Sequence, residues 1–224
     1  MRIPRALVPV VAALCALTAG ATTASAAPEP GPAPEVGLAL PAEEARLQQQ
    51  LEQSQPVVAT YEGRQINLAE GWQGAQACTE VPSGKVYCFD TAEEADRALA
   101  VVAPAAAAEA KRNAAPAGAR GALGTMAPSD CAYGYLCLWE HSDYTGRRLQ
   151  WSASGTKQLS DWDFRDKASA GCAYRVSGGG LVYDARTALP DPFMALANGN
   201  CYKFSTASYP TGGNWNDKAD YVVL

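Results

Sequence analysis

Apolar and polar positions alternate over short stretches in the middle of the chain. Three such stretches predict strands at residues 57–61, 76–80 and 85–89. Pro82-Ser83-Gly84 supplies a turn between the last two strands. Thr91 followed by Glu94 matches a capping box, which predicts a helix that ends near Val102. The pattern therefore predicts a small α+β unit at residues 54–103.

The pattern changes after Cys131, where Tyr, Trp and Val become frequent. Turn residues recur there about every 8–12 residues, which is typical of a β-sandwich. The predicted strands cover residues 135–140, 147–152, 170–176, 181–184, 201–205 and 221–224, with a weaker candidate at 193–197. These elements predict a mainly β domain at residues 126–224.

Residues 1–26 contain the three parts of an export signal. Arg2 and Arg5 precede an apolar run, Ala6–Leu17, that is too short to span a bilayer. Ala24-Ser25-Ala26 then supplies the small residues that a signal peptidase accepts. We therefore predict a secreted, extracellular protein that has no membrane association after signal cleavage.

Two further segments have a biased composition. Residues 27–40 are rich in Pro, Ala and Gly, so we expect them to be disordered. The rest of segment 27–53 contains helix formers but few apolar positions, which predicts a short, solvated helix. Residues 104–125 predict an Ala/Pro/Gly-rich linker. The alternative is a processing site near Arg112 or Arg120.

Charge is unevenly distributed along the chain. The formal net charge is −5 at pH 7; residues 27–124 hold 13 acidic and 7 basic side chains, and residues 125–224 hold 10 and 9. The sequence has no basic stripe that would neutralise phosphates, so nucleic acid is disfavoured as a partner. Anionic membrane surfaces are disfavoured for the same reason.

Cysteine usage predicts disulfides. Six cysteines remain after the predicted signal: Cys78, Cys88, Cys131, Cys137, Cys172 and Cys201. An even number in an exported chain indicates a disulfide framework, for which six cysteines allow 15 pairings. Local spacing favours Cys78–Cys88 across a hairpin and Cys131–Cys137 across a tight loop, which leaves Cys172–Cys201. A zinc site is disfavoured because the chain has one histidine and no C-x-x-C pair.

Two segments of the C-terminal domain resemble each other at an offset of 51 residues. Phe164–Ala170 and Trp215–Tyr221 each have an aromatic residue, a polar residue, Asp-Lys-Ala and then the start of a strand. A duplicated unit of this length predicts two Greek keys packed as a sandwich.

A further pattern lies before the first repeat. Trp139, Tyr144 and Gly146 have the form aromatic-x4-aromatic-x-Gly. This form suits a folded hairpin, because Gly adopts positive φ and the aromatic pair packs over the turn. These residues look like the βγ-crystallin motif. The run from Cys137 to Leu149, followed by Asp166-Lys167-Ala168-Ser169, resembles the peptidase inhibitor I36 family.

The resemblance covers residues 126–224 and implies both a fold and a function. Members of that family are small secreted bacterial domains with a βγ-crystallin-like fold, and they include inhibitors of thermolysin-like metalloproteinases. The resemblance therefore implies a double Greek-key sandwich, preceded here by the α+β unit, and an inhibitor whose partner is an extracellular peptidase. An enzyme built around His141, the single histidine, is disfavoured because a hairpin corner is a solvated place.

The best stapled candidate for an inhibitory loop is Asn198-Gly199-Asn200-Cys201-Tyr202. Asn200, Cys201 and Tyr202 are its candidate contact residues, because a disulfide beside a loop reduces the entropy lost on binding. Tyr202 or Phe204 would fill an apolar specificity pocket of the peptidase. The alternative is that Cys201 joins two strands and that both aromatic side chains belong to the core.

The two repeats also contain a candidate calcium site. Many microbial βγ-crystallins carry [N/D]-[N/D]-x-x-[S/T]-S, whose oxygens suit a hard cation. Asp166 and Ser169 retain two of these positions in the first repeat, and Asn216, Asp217 and Asp220 provide oxygens in the second. We expect at most weak calcium binding and no required cofactor. The alternatives are aspartates that cap turns, and a structural rather than inhibitory module.

Overall fold

The computed structural model describes residues 32–105, 107–108 and 131–224. This part of the chain is mainly β, as the sequence pattern predicts. The predicted signal peptide at 1–26 and most of the predicted linker at 104–125 lie outside the described residues. Within them, no helix has the length and apolar character needed to cross a membrane.

The elements follow the predicted order closely. The helices are α1 (Pro41–Glu52) and α2 (Ala92–Val102). The strands are β1 (Val36–Leu38), β2 (Val58–Tyr61), β3 (Arg64–Asn67), β4 (Ala77–Glu80), β5 (Val86–Phe89), β6 (Leu136–Trp139), β7 (Arg148–Trp151), β8 (Thr156–Gln158), β9 (Ala170–Ala173), β10 (Gly180–Tyr183), β11 (Pro192–Leu196), β12 (Asn200–Lys203) and β13 (Tyr221–Val223). Thr91 caps α2, since its hydroxyl oxygen accepts a hydrogen bond from the Glu94 N–H at 3.1 Å.

Two sheets contain these strands. The larger has eight strands in the order β12-β9-β6-β7-β4-β5-β2-β3, and the smaller has five in the order β1-β11-β10-β13-β8. Paired strands are antiparallel, except that β4 runs parallel to β7 and β2 runs parallel to β5.

The strands that follow Cys131 form two sets of four, β6–β9 and β10–β13. In each set the first, second and fourth strands share one sheet, while the third strand lies in the other sheet. Strand β8 therefore pairs with β13, and β12 pairs with β9. The exchange interlocks the two halves, because each sheet needs a strand from the opposite half.

The N-terminal segments extend both sheets. Strand β4 pairs with β7, with Ala77 opposite Arg148, and we call this pairing the β4–β7 seam. Strand β1 pairs with β11, with Leu38 opposite Pro192. Both pairings cover a strand edge that would otherwise present unpaired backbone groups.

Arg148 joins α2 to the seam. Its side chain is fully buried and donates to the two Asp96 carboxylate oxygens at 3.1 and 2.7 Å. It also donates to the Ala92 carbonyl oxygen at 3.1 Å. A planar guanidinium matches two carboxylate oxygens at once, so this contact fixes both position and orientation. Beside it, Gln150 Nε2 donates to Thr79 Oγ1 at 2.7 Å across the seam.

Apolar packing also continues across the seam. Trp72 stacks on Phe164 with ring centroids 5.9 Å apart, and its Nε1 donates to the Trp162 carbonyl oxygen at 2.7 Å. The Arg147 Cζ atom lies 4.9 Å from the Trp72 ring centroid, in a cation–π contact. One buried apolar cluster therefore includes residues from both sides of the seam.

The N-terminal segment is more ordered than its composition suggests. Val36–Leu38 forms a strand inside residues 27–40, which were expected to be disordered, because β11 offers an edge to pair with. Helix α1 is not fully solvated, since Leu47 is completely buried in a cluster with Tyr183 and Tyr221. In both cases the contacts come from residues more than a hundred positions later in the chain.

Strands β3 and β8 have no counterpart among the predicted strands. Their sequences, Arg-Gln-Ile-Asn and Thr-Lys-Gln, are mostly polar and lack an alternating apolar face. Their partners β2 and β13 supply the pairing, so neighbouring strands rather than local pattern determine these elements.

The three predicted disulfides are confirmed. Cys78–Cys88 and Cys172–Cys201 each join directly opposite residues of neighbouring antiparallel strands, with Cα atoms 4.1 Å apart. Cys131–Cys137 closes a short loop before β6, with Cα atoms 5.7 Å apart.

Replacing Asp96 with alanine is expected to lower the free energy of unfolding by about 2–3 kcal/mol, because Arg148 would stay buried without its carboxylate partner. The expected loss is smaller than for a fully enclosed pair, since the Asp96 side chain is 32% exposed. Urea unfolding of residues 27–224 measures the change.

Arg64→Ala is the matched control, because it breaks the exposed Arg64–Glu62 ion pair, which contributes little. Equal destabilisation by Asp96→Ala and Arg64→Ala would contradict the structural role of the buried pair.

Candidate functional site

The folded hairpin between β6 and β7 carries the aromatic-x4-aromatic-x-Gly residues. The Trp139 and Tyr144 rings meet edge to face with centroids 5.5 Å apart. Gly146 has φ +76°, and a Cβ atom there would lie 2.8 Å from the His141 ring. His141 itself is exposed. These residues build a sharp corner in which only glycine fits at position 146.

The two repeats contact each other through reciprocal backbone hydrogen bonds. The Asp166 N–H donates to the Ala219 carbonyl oxygen at 2.9 Å, and the Asp217 N–H donates to the Ala168 carbonyl oxygen at 3.1 Å. Both aspartates have positive φ, +56° and +54°, a conformation that Asp adopts more readily than most residues. The repeats therefore hold their aspartates in equivalent positions.

Ser169 and Asp217 form one polar cluster, although they come from different repeats. The Ser169 hydroxyl donates to Asp217 Oδ1 at 2.8 Å, and Asn216 Nδ2 donates to Asp217 Oδ2 at 2.6 Å. These three residues line a polar cavity of about 460 Å³ together with Glu140, His141, Ser142, Asp166 and Lys167. Both carboxylate oxygens of Asp217 already accept hydrogen bonds within the protein.

Asp166 and Asp220 form a second cluster, around Arg165. The Arg165 Nε atom lies 3.5 Å from Asp166 Oδ2 and forms an ion pair with Asp220 Oδ1, without hydrogen-bond geometry at that oxygen. A guanidinium therefore supplies the positive charge between these two carboxylates.

The candidate calcium carboxylates have hydrogen-bond and ion-pair partners within the protein in this arrangement. Calcium takes six to eight oxygen ligands, whereas the carboxylates here are engaged by hydroxyl, amide and guanidinium groups of the protein. Across the described residues, no three His, Cys, Asp or Glu side chains converge as metal ligands. The second repeat is also divided, because Asp217 faces Ser169 while Asp220 faces Arg165.

Asp220 holds the start of the loop between β10 and β11. Its side chain is buried, and its Oδ2 accepts a hydrogen bond from the Ala185 N–H at 2.6 Å. Burial raises the pKa of Asp220 to about 6, although the Ala185 N–H and Arg165 favour the charged form. The negative charges of Asp166 and Asp184 contribute to this rise.

Asp191 holds the other end of the same loop and was not among the residues that the sequence motifs identify. Its buried carboxylate accepts hydrogen bonds from the Arg186 N–H at 2.6 Å and from the Tyr221 hydroxyl at 2.8 Å. Burial and this hydrogen bond raise the pKa of Tyr221. The Asp191-Pro192 dipeptide, which favours turns, is the sequence signal that marks this position.

The stapled loop predicted from the sequence is a tight turn between β11 and β12. Gly199 has φ +81°, and its N–H donates to a carbonyl oxygen of β9 at 2.7 Å. Asn198 Nδ2 donates to the Arg175 carbonyl oxygen at 2.8 Å. The Cys172–Cys201 disulfide then fixes β12 to β9 directly after the turn. The turn is therefore held at both ends.

The aromatic side chains after this turn point into the protein. Tyr202 is 7% exposed and Phe204 is 0% exposed, so neither side chain is available to a peptidase pocket. Asn198 and Gly199 are exposed, and Asn200 is partly exposed. Strand β12 lies at the edge of the larger sheet. The turn therefore presents amide side chains and backbone groups to solvent.

Comparison with known families identifies the first half of this β domain. Residues 124–174 match the model of peptidase inhibitor family I36. The resemblance seen in the hairpin motif is thereby confirmed. This I36 segment contains the hairpin corner and the first repeat, and the β11–β12 turn follows it in the chain. No curated protein and no solved structure matches the chain.

The I36 match supports a peptidase inhibitor at the level of the family, with a peptidase as the partner. An inhibitor family also favours a non-enzymatic role over catalysis around His141. The disulfides are consistent with an extracellular protein.

Asp220 gives the protein a specific pH dependence. Because its folded pKa of about 6 lies above the ordinary carboxyl value, the protonated group favours the folded state. This contribution is fully present below about pH 4 and is lost as the pH rises through 6. The free energy of unfolding should therefore fall by roughly 1 kcal/mol between about pH 5 and pH 7 on account of this group.

Asp220→Asn removes the titration and should flatten that part of the pH profile, as measured by urea unfolding at several pH values. Glu52→Gln is the control, because Glu52 is exposed at the end of α1 and is not among the charges that act on Asp220. An unchanged profile in Asp220→Asn would show that Asp220 does not titrate in this range.

Proposed function

We propose that this protein is a secreted inhibitor of metalloproteinases. The observation that carries the proposal is the match of residues 124–174 to peptidase inhibitor family I36. The metalloproteinase class comes from the family that the run Cys137–Leu149 resembles, which includes inhibitors of thermolysin-like enzymes. The predicted export signal and the disulfides support an extracellular site of action.

We also propose that residues 126–224 have a βγ-crystallin-like double Greek-key fold. The exchange of β8 and β12 between the sheets supports this fold, as does the reciprocal contact of Asp166 with Asp217 across the repeats. A fold of this kind suits an inhibitor, because loops that are anchored in two interlocked sheets lose little conformational entropy when they bind.

In this proposal the β11–β12 turn forms part of the contact with the peptidase. Asn198 and Asn200 offer amide groups, and the edge strand β12 offers unpaired backbone groups that can align with an extended segment of a partner. The Cys172–Cys201 disulfide keeps this edge in place, so a bound peptidase cannot easily distort the turn into a substrate.

Purified residues 27–224 are expected to slow a thermolysin-like metalloproteinase in a stoichiometric and saturable way. The complete segment is used because the seam and the core extend from β4 into the I36 segment. Residual peptidase activity is measured at increasing protein concentration, with a serine peptidase as the comparison. Failure to slow any member of a panel of metalloproteinases would refute the proposed function.

Removal of the Cys172–Cys201 disulfide is expected to weaken inhibition. The double variant Cys172→Ala/Cys201→Ala should lose about 3–4 kcal/mol of stability, because it opens a loop of 29 residues. It should also be cleaved by the target peptidase near the turn, as detected by mass spectrometry.

The double variant Cys78→Ala/Cys88→Ala is the control, since it removes a disulfide on a hairpin outside the I36 segment. If both double variants inhibit equally well, the disulfide-braced turn is not a contact element.

A further inference from the structure

The loop between β10 and β11, residues 184–191, presents an apolar side chain to solvent. Leu189 is 53% exposed, and its neighbours from Thr187 to Pro190 are exposed as well. The stapled turn at Asn198, by contrast, exposes no large apolar side chain. A partner that buries a leucine would gain more from this loop than from the stapled turn.

Buried carboxylates hold the base of this loop. Asp220 accepts a hydrogen bond from the Ala185 N–H, and Asp191 accepts one from the Arg186 N–H, both at 2.6 Å. The Asp184 N–H also donates to a β11 carbonyl oxygen at 3.1 Å, which closes the base of the loop. The base of the loop is therefore fixed without a disulfide.

The backbone around Leu189 is constrained from both sides. Pro190 restricts Leu189 to extended conformations, which is the shape that peptidase clefts accept. Ala188 has φ +59°, which is uncommon for a residue that is neither Gly, Asn nor Asp. A substrate must be extended on both sides of the bond that is cut, so the left-handed Ala188 presents Leu189 while opposing cleavage at the preceding bond.

Two more exposed leucines lie beside the base of this loop, one at the end of β1 and one directly before α1. Leu38 is 50% exposed and Leu40 is 70% exposed, while Ala39 between them is buried. Leu38 is paired with Pro192, and the Ala39 N–H donates to the Asp191 carbonyl oxygen at 2.8 Å. The N-terminal segment that pairs with the base of the loop therefore carries two exposed apolar side chains.

We propose that Leu189 is the anchor of the inhibitor, and that it enters an apolar specificity pocket of the inhibited metalloproteinase with Leu38 and Leu40 at the rim. This assignment rests on the proposed function and names the part of the surface that performs it. The partner pocket is one that accepts a large aliphatic side chain, and the left-handed residue before the anchor keeps the loop from being cut.

Leu189→Ala in residues 27–224 should raise the inhibition constant for the metalloproteinase at least about tenfold, as expected for truncation of an interface anchor. Leu189→Met should inhibit nearly as well as the unsubstituted protein, because it preserves an apolar side chain of similar volume. Val101→Ala is the matched control: Val101 is 81% exposed and lies on α2, which packs against β4 and β5.

The melting temperature of each variant is measured alongside inhibition, and it should stay unchanged because the substituted side chains are largely exposed. Leu189→Asp provides a second test, with a loss of inhibition larger than that of Leu189→Ala. If Leu189→Ala and Leu189→Asp inhibit like the unsubstituted protein, Leu189 is not the anchor while the inhibitory function stands. If the unsubstituted protein inhibits no metalloproteinase, both the function and the anchor are refuted.

Discussion

At the β4–β7 seam, a guanidinium buried in the larger sheet meets a carboxylate from a helix that lies earlier in the chain. Arg148 has two oxygens of Asp96 as partners, and Gln150 bonds Thr79 beside it. These polar contacts fix the register of a parallel pairing that is only four residues long. Beside these strands, Trp72 stacks on Phe164 and donates a hydrogen bond to the Trp162 carbonyl oxygen. Because the N-terminal strands complete the sheet and the core of the I36 segment, the two parts of the chain form one folded unit.

The equivalent aspartates of the two repeats, Asp166 and Asp217, have different electrostatic surroundings. The repeats hold Asp166 and Asp217 in equivalent backbone conformations through the same pair of hydrogen bonds. Around Asp217 the partners are neutral hydroxyl and amide groups, whereas around Asp166 the partner is Arg165. The carboxylates are thus satisfied within the protein. Asp217 joins the two repeats through Ser169, and Asp220 braces a surface loop.

Two loops on the β domain reach rigidity by different physical means. The turn at Asn198 depends on a covalent staple, and its aromatic neighbours serve the core. The loop that carries Leu189 depends on two buried carboxylates that accept hydrogen bonds from its backbone. The disulfide is independent of pH in the neutral range. The carboxylates that hold the Leu189 loop include Asp220, whose pKa is raised to about 6 by burial. An inhibitor that uses both loops would combine a rigid backbone edge with an apolar anchor.

The sequence by itself determined the strands with alternating patterns, the capped helix α2, the three disulfides and the I36 resemblance, because each depends on residues close together in the chain or on spacing. Only the tertiary structure decided that β1 and β8 form, that Leu47 is buried and that Tyr202 points inward. These outcomes depend on neighbours contributed by distant segments. The loop around Leu189 carries no local motif, since its rigidity comes from Asp191 and from a carboxylate 35 residues away from Ala185. Burial and long-range hydrogen bonding, which leave little local pattern, set the surface available to a partner.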